Sequence, residues 1–263
     1  MTSVLPETAA APAIPVDQTT LAVHPGLVLR PAAERFQSSH GWLESWHSFS
    51  FAGHDHPAWR GFGPLLVIND DRVAAGRGFG MHPHRDMEII TVMVEGVLHH
   101  RDSMGHSEAL RAGEVQRMTA GTGIVHSEMN EGSQSCRLLQ IWIAPSHRGL
   151  PPSYGQKSFG LGAGWTLLID PEESIGAMAI DRSVRIWRAR PQAGERLALP
   201  GAATAHGWIQ LIDGDLDIRL EPAAENPVLG HLQGGDGLGM QPGMPGAITA
   251  GAGGADLLVF ELS

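Results

Sequence analysis

GMHPHRDMEIITVMVEG, residues 80–96, places a histidine pair, an apolar β-branched run and a glycine turn in immediate succession. Ile89 to Val94 has strand length and strand composition, and Glu95-Gly96 supplies a turn after it. On an extended strand, residues two apart share a face, so His82 and His84 project together. A second segment, GTGIVHSE at 121–128, repeats the arrangement with His126 and Glu128. Two such pairs on neighbouring strands bring three imidazoles and a carboxylate around one point. Borderline nitrogen and hard oxygen donors suit divalent iron, manganese, nickel or copper. Glu88 has the parity of His82 and His84, so it competes with Glu128 for the carboxylate position, or orients a ligating histidine from behind.

Outward from these segments the same pattern recurs. Leu65 to Ile68, Leu138 to Ile143, Trp165 to Ile169, Trp208 to Ile212 and Leu257 to Phe260 are short apolar runs of strand length. Asn69-Asp70-Asp71, Asp213-Gly214 and Gly234-Gly235-Asp236-Gly237 read as turns between them. Sustained helical periodicity is scarce, and many short strands at regular spacing indicate an all-β protein of barrels or sandwiches.

Proline and glycine interrupt the chain between Ala144 and Ser158, dividing it into a leader over 1–20, a first barrel over 21–150 and a second over 151–263. The Ala-, Pro- and Thr-containing leader reads as disordered. Val94-Glu95-Gly96-Val97-Leu98 is echoed by Leu211-Ile212-Asp213-Gly214-Asp215-Leu216, and Leu110 to Glu114 by Leu232 to Asp236. This weak internal repeat suggests duplicated barrels. The second copy lacks a paired HxH, and its Gly243-Met244-Pro245-Gly246 is not followed by HxE.

Composition excludes several classes of function. Eighteen basic against 28 acidic residues give a net charge of -10, which disfavours direct binding to nucleic acid or to an anionic membrane. The single cysteine, Cys136, excludes an internal disulfide and a cysteine-rich zinc site, and its apolar surroundings predict a buried thiol. No run reaches the roughly 18 apolar residues of a membrane span, and the N-terminus has no secretory signal, so a cytoplasmic protein is expected. Trp42, Trp46, Phe49, Phe51 and Trp59 cluster in sequence, as core packing or as the wall of a planar-ligand pocket. His100 and Asp102 read as a polar network fixing a turn, or as substrate-positioning groups.

FSFAGH at 49–54, VINDD at 67–71, HPHRDMEIITVMVEG at 82–96, DSMG at 102–105 and AGTGIVHSEMN at 120–130 together resemble the pirin family of the cupin superfamily. The resemblance implies a bicupin, two antiparallel β-barrel or jelly-roll domains facing each other, of which only the first keeps a metal. It puts the ligands on His82, His84, His126 and Glu128 and moves Glu88 to a supporting position. The general cupin pattern would nominate Glu88 instead. One divalent ion per chain is implied, iron first, with manganese, nickel, copper, cobalt or zinc as alternatives. The implied activity is flavonol (quercetin) 2,3-dioxygenation, which opens the heterocycle with dioxygen and releases carbon monoxide, with Glu128 as catalytic base. Its partners are a planar aromatic substrate and dioxygen, on a monomer. The alternative is a metal- or redox-dependent regulator that binds a transcription factor or a metabolic enzyme.

Overall fold

The computed structural model describes residues 25–201, 205–220, 229–243 and 246–263, so the expected leader lies outside the described residues. In chain order the strands are β1 (Leu27–Arg30), β2 (Phe36–Ser39), β3 (Leu43–His47), β4 (Leu65–Val73), β5 (Gly78–His84), β6 (Glu88–Glu95) and β7 (Val97–Asp102). They continue as β8 (Ser107–Arg111), β9 (Glu114–Thr119), β10 (Ile124–Met129), β11 (Cys136–Ile143) and β12 (Ser153–Ser158). The second half supplies β13 (Thr166–Ile169), β14 (Val184–Ala189), β15 (Arg196–Ala198), β16 (His206–Leu220), β17 (Gly230–Gln233), β18 (Gly237–Met240) and β19 (Gly246–Leu262).

Every ladder is antiparallel except one isolated bridge, Ile169 to Met178. In the N-terminal barrel a large sheet, β12-β9-β6-β11-β4-β3-β2, faces a small one, β5-β10-β7-β8. The C-terminal barrel follows the same scheme in a single continuous sheet, because β16 and β19 are long enough to bend from one wall to the other. The two halves also exchange edges. β1 pairs with β18, and β12 pairs with β9, so a boundary at residue 150 cuts across the sheets.

The predicted apolar runs lie in strands, save Trp165, which precedes β13, but two predicted turns do not reverse the chain. Asn69-Asp70-Asp71 runs straight through β4, and all three side chains are buried. Each meets a side-chain partner, Asn69 with His47, Asp70 with Arg137 and Asp71 with Ser45, which removes the cost that normally sends such residues to loops. Asp213-Gly214 lies within β16, where Gly214 takes φ +82 at a register shift. A Cβ there would meet Gly254 O at 2.1 Å, so the bend requires glycine.

The large sheets of the two barrels pack face to face through their outward residues. Ile90, Val92 and Ile141 meet Ile186, Trp208 and Phe260 in one apolar cluster. Arg137 ties the halves electrostatically, with Nε 2.8 Å from Asp70 Oδ1 and Nη1 2.8 Å from Asp213 Oδ1. Cys136 is buried as expected, in the cluster that closes one end of the N-terminal barrel, and burial pushes its thiol up to about 11.

Candidate metal centre

Alternation along β6 sends Ile90 and Val92 towards the second barrel and Thr91 into the first. In register across the large sheet, Thr91 lies opposite Gln140 of β11 and Gln116 of β9, and Gln140 lies opposite Asn69 of β4, itself opposite His47 of β3. A continuous polar rung thus crosses the interior of a barrel whose ends are apolar. Sequence reading missed it, because Thr91 and Gln140 are single polar residues inside apolar runs and Asn69 reads with Asp70 and Asp71 as a turn. The detectable signal is alternation with the outward apolar residues, as Thr91 lies between Ile90 and Val92 and Gln140 between Leu139 and Ile141.

The small sheet faces this rung with its histidines. His82 of β5 is the cross-strand partner of His126 of β10, and His84 is the partner of Ile124. The ring centroids of His82, His84 and His126 lie 4.4–4.9 Å apart, and their nitrogens come within 4.8 Å of one another. A register shift between His126 and Glu128 sets Glu128 opposite Phe79. Its carboxylate therefore joins a second triad, with His100 and His126, rather than the first. Glu128 Oε1 accepts from Thr91 Oγ1 at 3.2 Å and Gln116 Nε2 at 3.4 Å, and Oε2 accepts from Gln140 Nε2 at 2.8 Å. Its partners are neutral donors of the rung, and burial raises its pKa above the ordinary carboxylate range.

Hydrogen bonds set the histidine tautomers. Asp102 Oδ2 accepts from His100 Nε2 at 3.2 Å, which leaves His100 Nδ1 to accept from His126 Nδ1 at 3.5 Å. His126 Nε2 then carries a lone pair, and this fully buried atom has no protein partner. His82 is fixed in the same sense, its Nδ1 donating to Gly80 O at 2.7 Å. Burial first, and neighbouring imidazoles second, depress His126 to about 3 and His84 to about 4. Convergent neutral imidazoles with free lone pairs and an adjacent carboxylate fit one divalent transition metal. An empty cluster would leave the buried His126 nitrogen unsatisfied.

Glu88 is elsewhere. Asp86 takes a left-handed φ of +49, the chain passes from the small sheet to the large one, and parity does not carry through. Glu88 then shares the face of Ile90 and Val92, buried towards the other barrel, with Thr119 Oγ1 at 2.7 Å. It supports no histidine of the cluster. Burial pushes its carboxyl up to about 7. His100 and Asp102 do more than fix a turn, since their network reaches His126. Asp102 also accepts from His106 Nδ1 at 2.8 Å, and its hydrogen bonds outweigh burial to hold its pKa below the ordinary value. Tyr154, the only tyrosine, stacks on both His100 and His106 at 4.6 Å.

A cavity of about 330 Å³ opens onto the cluster, with Glu128, His82 and His84 on its wall. Of the aromatic residues anticipated, Trp42 and Phe51 line it. Phe49 packs against Trp208 between the barrels and Trp59 lies over Arg30, while Phe79 and Trp142 complete the wall. Among the described residues, no further cluster of potential metal ligands occurs in the C-terminal barrel. No helix of the described residues is long and apolar enough to cross a membrane.

The Pirin family model matches residues 29–143, and the model for the Quercetinase C-terminal cupin domain matches residues 167–262. Quercetin 2,3-dioxygenase of Escherichia coli K12 is 44% identical over 194 residues, covering 73% of this chain and 84% of that protein. The crystal structure of YhhW from Escherichia coli superposes with a TM-score of 0.83 at 40% identity, covering 90% of this chain and 97% of that one. A second structure, of the bacterial pirin YhhW in complex with nickel(II), covers 90% of this chain and 98% of that one, with 40% identity and a TM-score of 0.82.

Proposed function

The chain belongs to the pirin family, and on that footing we propose that it is a metal-dependent flavonol 2,3-dioxygenase of the quercetinase type. His82, His84 and His126 hold one divalent ion, with Glu128 as the fourth ligand and the catalytic base. Iron is the proposed native ion, and nickel occupies the related Escherichia coli structure. The observation that carries this reading is the buried, unpartnered Nε2 of His126 at the centre of the histidine cluster, beside a cavity with an aromatic wall.

When bound, the ion supplies Lewis acidity that lowers the pKa of a chelating 3-hydroxyl and orients the ring beside it. The protein does the rest. Trp42, Phe51 and Trp142 offer flat apolar surface and exclude water. Asp102 and His100 keep His126 in one tautomer. Glu128 accepts the hydroxyl proton on a carboxylate oxygen. Burial raises its pKa and makes it a stronger base than an exposed carboxylate, while the donors Thr91 and Gln140 hold its oxygens in place.

Iron-loaded protein is expected to consume flavonol and dioxygen in equal molar amounts and to release carbon monoxide, while His82→Ala loses both. Carbon monoxide and ester product no greater than those of His82→Ala, across several flavonols, would overturn the proposal in favour of the regulatory alternative.

A further inference from the structure

The wall contributed by β3 and β4 carries paired polar residues in register, Ser45 opposite Asp71 and His47 opposite Asn69. All are buried as residues yet line the same cavity as Glu128, His82 and His84. Most of their hydrogen-bonding capacity is committed. His47 Nδ1 meets Asn69 Oδ1 at 2.8 Å, and its Nε2 meets Ser38 Oγ at 2.9 Å. Ser45 Oγ donates to Asp71 Oδ1. Gln140, next along the rung, gives its amide to Glu128 and its carbonyl to Thr91.

Two groups remain uncommitted. Among the described residues, neither Asn69 Nδ2 nor Asp71 Oδ2 has a protein hydrogen-bond partner. One is a donor and the other a carboxyl oxygen, and they sit two residues apart on one face of one strand, about 6.6 Å along it. We propose that Asn69 and Asp71, braced by His47 and Ser45, form a subsite that recognises two adjacent hydroxyls of an aromatic ring, a catechol. One hydroxyl donates to Asp71 Oδ2, and the oxygen of its neighbour accepts from Asn69 Nδ2. The aromatic surfaces of Phe51 and Trp142, 5.3 Å apart edge to face, line the same space. The subsite rests on the flavonol reading and adds to it, by selecting flavonols hydroxylated at neighbouring positions of the pendant ring.

The test is anaerobic titration of metal-loaded protein with two flavonols, one carrying a catechol pendant ring and one with that ring unhydroxylated, followed by the flavonol absorption band. Wild type should bind the catechol compound roughly tenfold more tightly, the yield of one to two hydrogen bonds. Asp71→Asn, which keeps the oxygen that Ser45 contacts, should erase that preference and leave affinity for the unhydroxylated compound unchanged. If Asp71→Asn loses both ligands, Asn69→Ala decides by the same ratio. Equal binding of the two compounds by wild type, or a preference that survives in the variants, overturns the subsite while leaving the flavonol reading intact. No band shift with either compound overturns that reading and the subsite with it.

Discussion

The two barrels share a strand scheme and differ in what lines it. Counting from the hairpin glycines Gly96 and Gly214 aligns them: Thr91 corresponds to Ile209 and His100 to Ile218. Strand pairing extends the match. Gln140, Gln116 and Glu128 pair with or lie beside these positions in the first barrel, and Val259, Leu238 and Ile248 occupy their places in the second. His126, opposite Asp102, corresponds to Gly246, opposite Leu220. Thr91, Gln140, Gln116, Glu128 and His100 are thus replaced by aliphatic residues, and Ile209, Ile218, Leu238 and Ile248 are fully buried in one core. Outward faces and turn glycines therefore specify the barrel, and a single interior layer decides between a reactive cavity and a packed one.

Carrying one site residue into the wrong barrel should break the comparison most severely. Ile248→Glu places a carboxylate where Ile209, Leu238 and Val259 offer no donor, and an uncompensated buried charge costs about 3–5 kcal/mol. Urea unfolding should show a loss of that size, with no second metal bound. A stable variant with normal unfolding would mean that the second interior is less apolar than its packing indicates. The reverse exchange, Glu128→Ile, removes the carboxylate and leaves the Gln140 amide without its acceptor, while Thr91 keeps Gln140 Oε1 and Gln116 keeps Thr91 Oγ1. Metal affinity should fall about 100-fold, and stability by about 1–3 kcal/mol from the stranded donor. Elemental analysis beside calorimetry separates the two effects, and full metal occupancy at unchanged stability would remove Glu128 from the site.

How much of this was legible in the sequence follows from the same contrast. Strand faces packed between the barrels, such as Ile90 and Val92, are visible as apolar runs, and the histidine pairs are visible because period two holds within β5 and β10. Parity misled at Glu88, because the left-handed Asp86 resets it between sheets. Turn composition misled at Asn69-Asp70-Asp71, where burial is sustained by Arg137 on one face and by Ser45 and His47 on the other. Those partners are 67, 26 and 22 residues away in sequence, and local pattern carries no trace of them. The edge exchange of β1 and β12 is likewise a tertiary event.

Acid should sharpen the difference between the interiors, since the buried histidines of the first barrel refuse protons that the unfolded chain accepts. His84 and His126 have folded pKa values of about 4 and about 3, below the ordinary 6.5. Their contribution is intact above about pH 6.5 and is lost as pH falls towards those values, with a limiting slope of about 1.4 kcal/mol per pH unit for each. Asp71 and Glu88, raised to about 7, act oppositely, and their contribution is lost as pH rises from about 4 to 7. Metal-free wild type compared with the His84→Asn/His126→Asn double variant cancels the carboxyl effect. The unfolding free energy of wild type minus that of the variant should rise between pH 4.5 and 6.5, by about 1.4 kcal/mol per pH unit for each histidine, and parallel curves would show that these histidines are not held neutral.

The smallest expected effect concerns a residue that touches neither ligand nor cavity. Asp102 fixes His100, and His100 fixes the tautomer of His126, an arrangement that Leu220 and Ile218 cannot supply in the second barrel. Asp102→Asn keeps the shape and the turn but replaces a charged acceptor with a neutral amide. His106, now also without its carboxylate partner, competes for the remaining oxygen. The His126 ring should then sample the wrong tautomer and orientation, and loss of such a supporting contact lowers metal affinity about tenfold, the low end for residues behind a metal ligand. Folding should be nearly unaffected, because Met104 and His106 backbone amides can still donate to the side-chain oxygen. Competition with a chelator measures the affinity, and nitrogen-detected NMR of the metal-free protein reports the His126 tautomer directly. An unchanged tautomer together with unchanged affinity would reduce the Asp102–His100 pair to a turn anchor. A shifted tautomer with the tenfold loss would establish that the first barrel differs from the second in the layer behind its ligands as well as in the ligands themselves.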